Sequence, residues 1–455
     1  MLPAVEPASS RLRSHWATPY HPARAFLFER GLYLLLALDT WLLMMEHGGR
    51  YGVGGFNVAH FAWLDRLVPA PQPALYVGLV GASGLLALVA ALFEVSRLDK
   101  LVLAASYTLA WALSMHDSYQ HHYLLSWLLL FCALLPAVDS KQAASGRPPV
   151  AAPGLPLVAV SCAIVYLFTA ISKSASDWRS GQVLRVLANT SSGPHGPFSW
   201  LPRGLAQLGV PDAVAWQTTA LGVLAWQLLI AAGYCVSTLR DDAERPFLGR
   251  LCFAAWAAAA LFHIMTELEG AFAIGWFSYY MLWVAFVMFA PAPWLQAVCA
   301  PIARLRQRIG GAVLEQTPSM ALAASSSCLL AWIVAQNSDL PGVPQACIAV
   351  LAYLLVEAGY FVAQREVAVA LRCVILPGVA MVGLFGALNL TSVRFDYYRR
   401  AAGELSRLGQ LEQALVMYRK AERYAPAGKT RMTRIDKLQR ELEAHDAGLP
   451  ETGEE

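Results

Sequence analysis

Apolar runs of about 20 residues recur along most of this chain, and each is long enough to cross the hydrocarbon core of a bilayer as a helix. Of the 455 residues, 57% are hydrophobic and only 14% are charged. A water-soluble fold of this size needs more polar surface than that composition supplies. We therefore predict an all-α polytopic membrane protein with about eleven transmembrane helices. The spans are expected near residues 26–46, 74–94, 100–115, 121–138, 155–173, 215–237, 249–265, 271–290, 319–336, 345–363 and 367–390.

The distribution of basic residues predicts the orientation, because Lys and Arg favour the cytoplasmic side of a membrane. With the N-terminus inside, the inner segments carry fifteen Lys and Arg residues and the outer loops carry six. The first apolar run ends in Met44-Met45-Glu46-His47 without a small-residue cleavage pattern, so we expect a retained helix. An odd number of spans puts the C-terminal tail outside, and one miscounted span among the last three would put it in the cytoplasm.

The predicted spans divide the chain into five parts. These are an N-terminal cytoplasmic segment (1–25), a transmembrane core of about eight helices (26–300), a basic cytoplasmic loop (301–318), three additional transmembrane helices (319–390) and a charged helical tail (391–455). The tail contains a pattern that resembles one tetratricopeptide repeat (TPR), a hairpin in which small residues let two helices approach. A merely amphipathic helical tail is the alternative. The pattern is Ala402-x6-Gly409-x4-Ala414-x3-Tyr418-x2-Ala421-x4-Pro426.

Ionisable groups inside a bilayer are costly, so each needs a partner, a water-filled cavity or a reaction to explain it. Four residues in or at the ends of the predicted spans meet this description: Asp39, His121, Lys173 and His263. In the predicted topology the last three fall at the outer ends of their helices. We expect them to line one outward-facing site.

Lys173 is the strongest candidate for a chemical role. Helical spacing stacks Tyr166, Lys173 and Asp177 on one face of the fifth span. A lysine in an apolar environment has a lowered pKa and can act as a base near neutral pH. The alternative is a lysine that extends to the membrane interface and pairs with Asp177.

Two histidines have a carboxylate four residues away, which is a spacing that brings side chains together on a helix. Asp117 precedes His121, and Glu267 follows His263, so either imidazole would be oriented by its carboxylate. Interfacial histidines without a chemical role are the alternative. Because His121 and His122 are adjacent and face different ways, and the eight cysteines contain no C-x-x-C pair, no metal site is predicted.

The order of four short motifs resembles the membrane core of the vitamin K-dependent gamma-glutamyl carboxylases and the wider bacterial family with horizontally transferred transmembrane domains (HTTM). Together the motifs extend over residues 20–300. They are Phe61-x-Trp63-Leu64-Asp65-Arg66-Leu67-x-Pro69-x-Pro71; His121-x-Tyr123-Leu124; Val165-Tyr166 with Lys173-x-x-x-Asp177-Trp178; and Phe262-His263-x-Met265 with Phe272-x-Ile274-Gly275-x-Phe277-Ser278-Tyr279-x-Met281-Leu282 and Pro293-Trp294.

The resemblance implies a membrane enzyme that uses a reduced quinone of the vitamin K type, O2 and CO2, and no metal. It implies that Lys173 is the base that deprotonates the quinol for oxygen-dependent epoxidation. It gives His121 a supporting role, and we expect His263, Tyr166, Asp177 and Trp178 to form the substrate-binding set. The carboxylase has an extended outer domain that grips a protein substrate, whereas this chain has three further spans and a tail. A quinol-oxidising or epoxidising core with another substrate is therefore the alternative to carboxylation of a glutamate side chain.

The expected partners are membrane lipid, the quinol, and a peptide or protein recruited by the tail. No nucleic-acid partner is expected, because a membrane explains the placement of the basic residues. We expect a multi-pass protein of a bacterial cytoplasmic membrane with the N-terminus inside and the candidate site outside. A non-enzymatic transporter or scaffold that keeps the same fold is the alternative function. Transport would favour an internal repeat between the halves, and none is found in the sequence.

Overall fold

A computed structural model gives the fold, and 83% of the residues that it describes are helical, so the predicted all-α class is confirmed. The one described sheet is a pair of two-residue strands, β1 (Pro19–Tyr20) and β2 (Val150–Ala151), which run antiparallel. The structure describes residues 19–40, 44, 59–67, 73–113, 120–146, 148–191, 196–238, 246–268, 274–309, 391–425 and 428–446.

The chain divides into two compact units. The first comprises Met1–Leu35 and Trp127–Glu315, and the second comprises Leu36–Ser126 and Gln316–Glu455. In chain order the described helices are α1 (Pro22–Asp39), α2 (Ala62–Leu67), α3 (Pro73–Leu92), α4 (Arg97–Ala112), α5 (Gln120–Cys132), α6 (Ser140–Ser145), α7 (Gly154–Ser172), α8 (Ser176–Arg179), α9 (Gln182–Ser191), α10 (Trp200–Gln207), α11 (Asp212–Ser237), α12 (Pro246–Leu268), α13 (Trp276–Phe289), α14 (Ala292–Ile309), α15 (Thr391–Arg407), α16 (Leu411–Arg423) and α17 (Met432–Asp446).

Among the described helices, α7, α11 and α12 are long and apolar enough to cross a membrane. They coincide with the predicted spans 155–173, 215–237 and 249–265. Helices α13 and α14 meet at a bend of 114° and make a fourth if the pair is one broken span. These helices indicate a membrane protein.

Two of the predicted spans differ from the structure by five residues or more at one end. Helix α5 ends at Cys132 rather than at 138, because the chain turns before Pro136, whose ring disfavours helix in the residue before it. Helix α13 begins at Trp276 rather than at 271, because Gly275 has φ +62°, outside the helical region. Among the described residues only three helices, or four with the bent pair, are long and apolar enough to cross a membrane, and the predicted spans 319–336, 345–363 and 367–390 lie outside those residues. The total of eleven therefore stays a prediction.

In the first unit, α7 packs on α11, and α11 packs on α12. Small residues make the close approaches: a Cβ atom on Gly233 of α11 would lie 2.2 Å from the Cβ of Ala255 on α12. The buried face of α7 is also rich in small side chains, with Ala159 and Ala163 on it. Three apolar helices are thus held side by side.

Arg24 stabilises the C-terminal end of α13 where this end is buried away from water. Its guanidinium donates to the backbone oxygens of Val287 at 2.5 Å and Met288 at 3.0 Å, and to that of Ala290 at 2.9 Å. The last carbonyls of a helix have no partner within it, and Pro291 prevents its continuation. A buried arginine satisfies these oxygens at the bend between α13 and α14.

The tail forms a helical hairpin from α15 and α16, followed by α17. Gly409, with φ +74°, lies in the turn, a conformation that favours glycine. Pro426 of the predicted pattern lies outside the described residues. The core of the tail is a cluster of buried side chains: Ala402, Ala414, Tyr418, Ile435 and Leu438.

Candidate functional site

Lys173 lies immediately after α7, in the first unit, where its backbone N–H donates to the carbonyl of Thr169 at 3.2 Å. Its Nζ stands 5.2 Å from the centre of the Trp178 ring, within the range of a cation–π contact. Burial lowers the pKa of the Lys173 ammonium, because removing water disfavours the charged form. Lys173 is therefore a candidate base at the end of an apolar helix.

The predicted helical face from Tyr166 to Asp177 is interrupted. Helix α7 ends at Ser172 and α8 begins at Ser176, so Asp177 lies on a separate short helix and that part of the prediction is wrong. Asp177 is exposed and accepts a hydrogen bond from the hydroxyl of Ser176 at 3.1 Å. Among the described residues, no carboxylate forms an ion pair with Lys173. The alternative in which Lys173 pairs with Asp177 therefore has no support in the geometry.

Tyr166 and His263 are brought together, although 97 residues separate them in the chain. The hydroxyl of Tyr166 on α7 lies 2.5 Å from Nε2 of His263 on α12. Both side chains are buried, with 2% and 0% of their surface exposed. A direct hydrogen bond between two buried polar groups in apolar helices removes the cost of leaving either without a partner.

The other ring nitrogen of His263 continues the chain of contacts. Its Nδ1 lies 3.3 Å from Oγ of Ser278, and that hydroxyl donates to Oε1 of Glu267 at 2.7 Å. The same carboxylate oxygen accepts the backbone N–H groups of Ile274 and Gly275, each at 3.0 Å. Glu267 thereby orders the chain just before α13. We call Tyr166, His263, Ser278 and Glu267 the His263 cluster.

The Tyr166–His263 hydrogen bond joins the last two turns of α7 to the last two turns of α12, so the C-terminal ends of these two helices lie together. Lys173 follows Tyr166 by seven residues, two turns on the same face and about 10 Å along the axis. Lys173 and His263 thus lie near neighbouring C-terminal helix ends, and their location on the outer side of a membrane stays a prediction.

His121 belongs to the second unit, where it lies in a cluster with Asp39, His122 and Tyr107. Its Nε2 is 3.9 Å from Oδ2 of Asp39, and both side chains are buried. The Tyr107 hydroxyl lies 2.7 Å from Nδ1 of His122. The predicted partner Asp117 lies outside the described residues. The observed carboxylate beside His121 is that of Asp39.

Sequence reasoning missed the roles of Ser278, His122 and Tyr107. Glu267 was expected to contact His263 directly, whereas the structure inserts the hydroxyl of Ser278 between them. The signal for Ser278 was its position within the fourth motif, and no spacing rule links it to a histidine fifteen residues earlier. In the part of the chain that the structure describes, no group of three His, Cys, Asp or Glu side chains is arranged to hold a metal.

Comparisons with protein-family models, curated proteins and solved structures find no match for the chain. The resemblance to the carboxylases rests on the four motifs alone. In the structure the third and fourth motifs belong to the first unit, where their residues Tyr166 and His263 are in direct contact. The first and second motifs belong to the second unit.

Proposed function

We propose that the chain is a membrane enzyme resembling the vitamin K-dependent gamma-carboxylases, in which Lys173 deprotonates a reduced quinone for oxygen-dependent epoxidation. The observation that carries this proposal is the environment of Lys173. Its ammonium is half-buried at the end of an apolar helix, its pKa is lowered by burial, and no described carboxylate pairs with it. Burial favours the neutral amine, which is the form of a lysine that can accept a proton from a weakly acidic hydroxyl.

The surface of α7 next to Lys173 fits an apolar substrate. Leu167, Phe168 and Ile171 are 42%, 65% and 54% exposed on the last turns of the helix. Such side chains suit contact with lipid tails or with the rings of a lipid-soluble quinone. A quinol that arrives through the bilayer would reach the lysine without crossing water.

The reaction balances with oxygen as the oxidant. Lys173 takes a proton from a hydroxyl of the quinol, one atom of O2 becomes the epoxide oxygen, and the other leaves as water with the two hydroxyl protons. The resemblance assigns His121 a supporting role, and Tyr166, His263, Asp177 and Trp178 are proposed to bind substrate. Carboxylation of a glutamate side chain with CO2 is a further step that the resemblance suggests.

The proposal also covers the membrane topology and the role of the C-terminal tail. We infer about eleven spans in a bacterial cytoplasmic membrane, with the N-terminus inside and Lys173 at the outer face. The hairpin of α15 and α16 supports a TPR-like tail that recruits a peptide or protein partner. Its exposed Leu408 and Val416 are apolar side chains available for such a contact.

A non-enzymatic transporter or scaffold is the second candidate function. Asp39 and His121 are buried close to each other, and ionisable pairs within membrane proteins often mark proton or substrate pathways. In that case Lys173 would be a structural charge that rests on Trp178. Quinol consumption separates the two candidates.

The test uses the full-length protein in lipid nanodiscs with reduced naphthoquinone and oxygen, and follows epoxide formation. We expect Lys173→Ala to lower the rate by about 100-fold or more, the usual contribution of a general base. Lys141→Ala is the matched control, because Lys141 is an exposed lysine in the same unit. An active Lys173→Ala variant, or no quinol consumption by the wild type, would contradict the proposal.

Carboxylation has its own test in the same preparation. A glutamate-containing peptide and labelled CO2 are added to the reaction, and incorporation of label into the peptide is measured. Label that depends on quinol and on Lys173 would support a carboxylase. Epoxide without label would restrict the function to quinol oxidation.

A further inference from the structure

Three elements of the C-terminal tail meet at one end of the helical hairpin. Helix α15 begins at Thr391, the residue after the predicted span 367–390. Because α16 runs back along α15, its C-terminal end lies beside the start of α15, where the Tyr398 and Tyr424 rings stack with centroids 6.1 Å apart. Arg431, the residue before α17, joins them, since its Cζ lies 5.4 Å from the centre of the Phe395 ring. We call residues 391–400, 419–425 and 428–434 the Phe395 end of the tail.

The charges of the tail are divided between its two ends. The Phe395 end carries nine basic residues and two acidic ones, whereas the rest of the tail helices, 401–418 and 435–446, carries three basic and six acidic residues. The nine basic residues are Arg394, Arg399, Arg400, Arg419, Lys420, Arg423, Lys429, Arg431 and Arg434. The tail is therefore positive where the chain leaves the last predicted span and negative farther along the hairpin.

Helix stability explains only part of this division. The last turn of a helix favours cations, as with Lys420 and Arg423 on α16. The first turn disfavours them, yet Arg431 and Arg434 lie at the start of α17, whose first turn contains no acidic residue. Arg419 and Arg423 stand four residues apart on α16, a spacing at which like charges repel. An anionic partner would relieve this repulsion.

The carboxylates of the tail leave the exposed cations of the Phe395 end unneutralised. Glu422 lies within this end, but it accepts hydrogen bonds from the Thr430 hydroxyl at 2.6 Å and from the backbone N–H of Arg431. Four exposed basic side chains form no ion pair with any residue that the structure describes: Arg419, Arg423, Lys429 and Arg434. Their charge is available to a partner outside the chain.

The kind of cation favours phosphate as that partner. Seven of the nine basic residues are arginines, whose planar guanidinium donates two parallel hydrogen bonds to phosphate oxygens. The buried ring of Phe395 holds two of these groups, with Cζ of Arg399 at 5.8 Å and Cζ of Arg431 at 5.4 Å from its centre. A guanidinium already held on a ring loses less freedom when it binds an anion.

We propose that the Phe395 end binds the phosphate headgroups of anionic phospholipids, so that the tail docks on the membrane beside the predicted span 367–390. Basic side chains next to a membrane span each strengthen binding to anionic lipid by a factor of about five. An acidic peptide would also match the charge, but it has no need of the end that adjoins a span. The opposite end, with exposed Leu408 and Val416, is left for a protein partner. This proposal does not depend on the reaction at Lys173.

The distance of the tail from lipid headgroups tests the proposal. The full-length protein, in a cysteine-free background, carries a fluorophore at Thr433→Cys in the Phe395 end or at Gln413→Cys in the opposite end, both exposed positions. The nanodiscs contain phosphatidylcholine with or without phosphatidylglycerol, and a small fraction of a lipid with a spin-labelled headgroup quenches the fluorophore. We expect phosphatidylglycerol to increase quenching at position 433 and not at position 413. Equal quenching at position 433 in the two lipids overturns the proposal.

Salt tests whether charge holds the tail on the lipid. Raising the ionic strength from about 0.1 M to about 1 M shortens the screening length from about 10 Å to about 3 Å. We expect the added quenching at position 433 to disappear over this range. Quenching that phosphatidylglycerol increases equally at high salt would contradict headgroup binding by the exposed cations.

A charge-matched pair of variants locates the binding surface. The test variant replaces three exposed cations of the Phe395 end: Arg423→Ala, Lys429→Ala and Arg434→Ala. The control replaces three exposed cations of the opposite end: Arg407→Ala, Lys437→Ala and Arg440→Ala. We expect the test variant to lower the ratio of docked to undocked tail by about 100-fold and the control to keep it, with far-UV circular dichroism unchanged in both.

Equal quenching in the two variants overturns the proposal. A fluorescent glutamate-rich peptide is added to the wild type in phosphatidylcholine nanodiscs as the alternative ligand. Peptide binding that the test variant loses, together with quenching that phosphatidylglycerol does not change, would assign the Phe395 end to an acidic protein instead and so overturn lipid binding.

Discussion

Lys173 carries a titratable amine at the end of an apolar helix, and this amine contacts the aromatic ring of Trp178. Desolvation lowers the pKa of its ammonium, while the Trp178 ring under it favours the charged form. The form that accepts a proton is the neutral amine. Its population falls as pH drops below the lowered pKa, so a reaction that uses Lys173 as base should slow toward acidic pH.

The Trp178 ring provides a test at this residue. Trp178→Leu removes a cation–π contact of about 0.5–1 kcal/mol that favours the charged form, so the pKa of Lys173 should fall further. We expect the rising limb of the pH profile for quinol consumption to move to lower pH. A limb that stays in place would show that Lys173 does not set it.

A substitution of Lys173 by arginine tests whether this residue acts as a base. Lys173→Arg keeps the positive charge, but an arginine stays protonated at any pH used for assay. We expect this variant to be as inactive as Lys173→Ala in epoxide formation. Activity retained in Lys173→Arg would mean that the charge, and not proton transfer, is what the site requires.

Pairs of helices, rather than single helices, position the candidate groups. Tyr166 meets His263 only because α7 and α12 both pack on α11, and the approach of α11 to α12 depends on Gly233. The Tyr166 ring also stacks on that of Tyr234 in α11, with centroids 5.9 Å apart. Packing around α11 therefore determines the geometry of the His263 cluster.

Two glycines of α11 give a matched pair of variants. Gly233→Ala would bring two Cβ atoms to 2.2 Å, whereas a Cβ at Gly222 meets nothing within 4 Å. We expect Gly233→Ala to destabilise by about 1–3 kcal/mol through overpacking, and Gly222→Ala to be neutral or slightly stabilising. Thermal unfolding followed by circular dichroism in one detergent compares them. Equal melting temperatures would disprove the close contact.

At the scale of the whole molecule, the prediction is the orientation of α7 in the membrane. Ser176 and Lys141 are exposed residues on either side of this helix. In a cysteine-free background, we expect Ser176→Cys to react with an impermeant maleimide in intact cells. Lys141→Cys should react only after the membrane is permeabilised. The reverse pattern would invert the predicted topology.

Much of the fold followed from local properties of the chain. Hydropathy over about 20 residues is a property of each segment alone, and it located α7, α11 and α12 to within a few residues. It also put Lys173 at a helix end and His263 near another. The helix ends at Cys132 and Trp276 were less accurate, because proline and glycine geometry overrode the apolar pattern.

The sequence by itself thus determined the helical class, the positions of three apolar helices, and which residues are the candidate base and the candidate histidines. Only the tertiary structure decided which of them meet: Tyr166 with His263, and Glu267 with His263 through Ser278. The physical reason is the distance along the chain over which each effect acts. Burial and helical period act within a segment, whereas a hydrogen bond of 2.5 Å between helices depends on how side chains of a third helix space them.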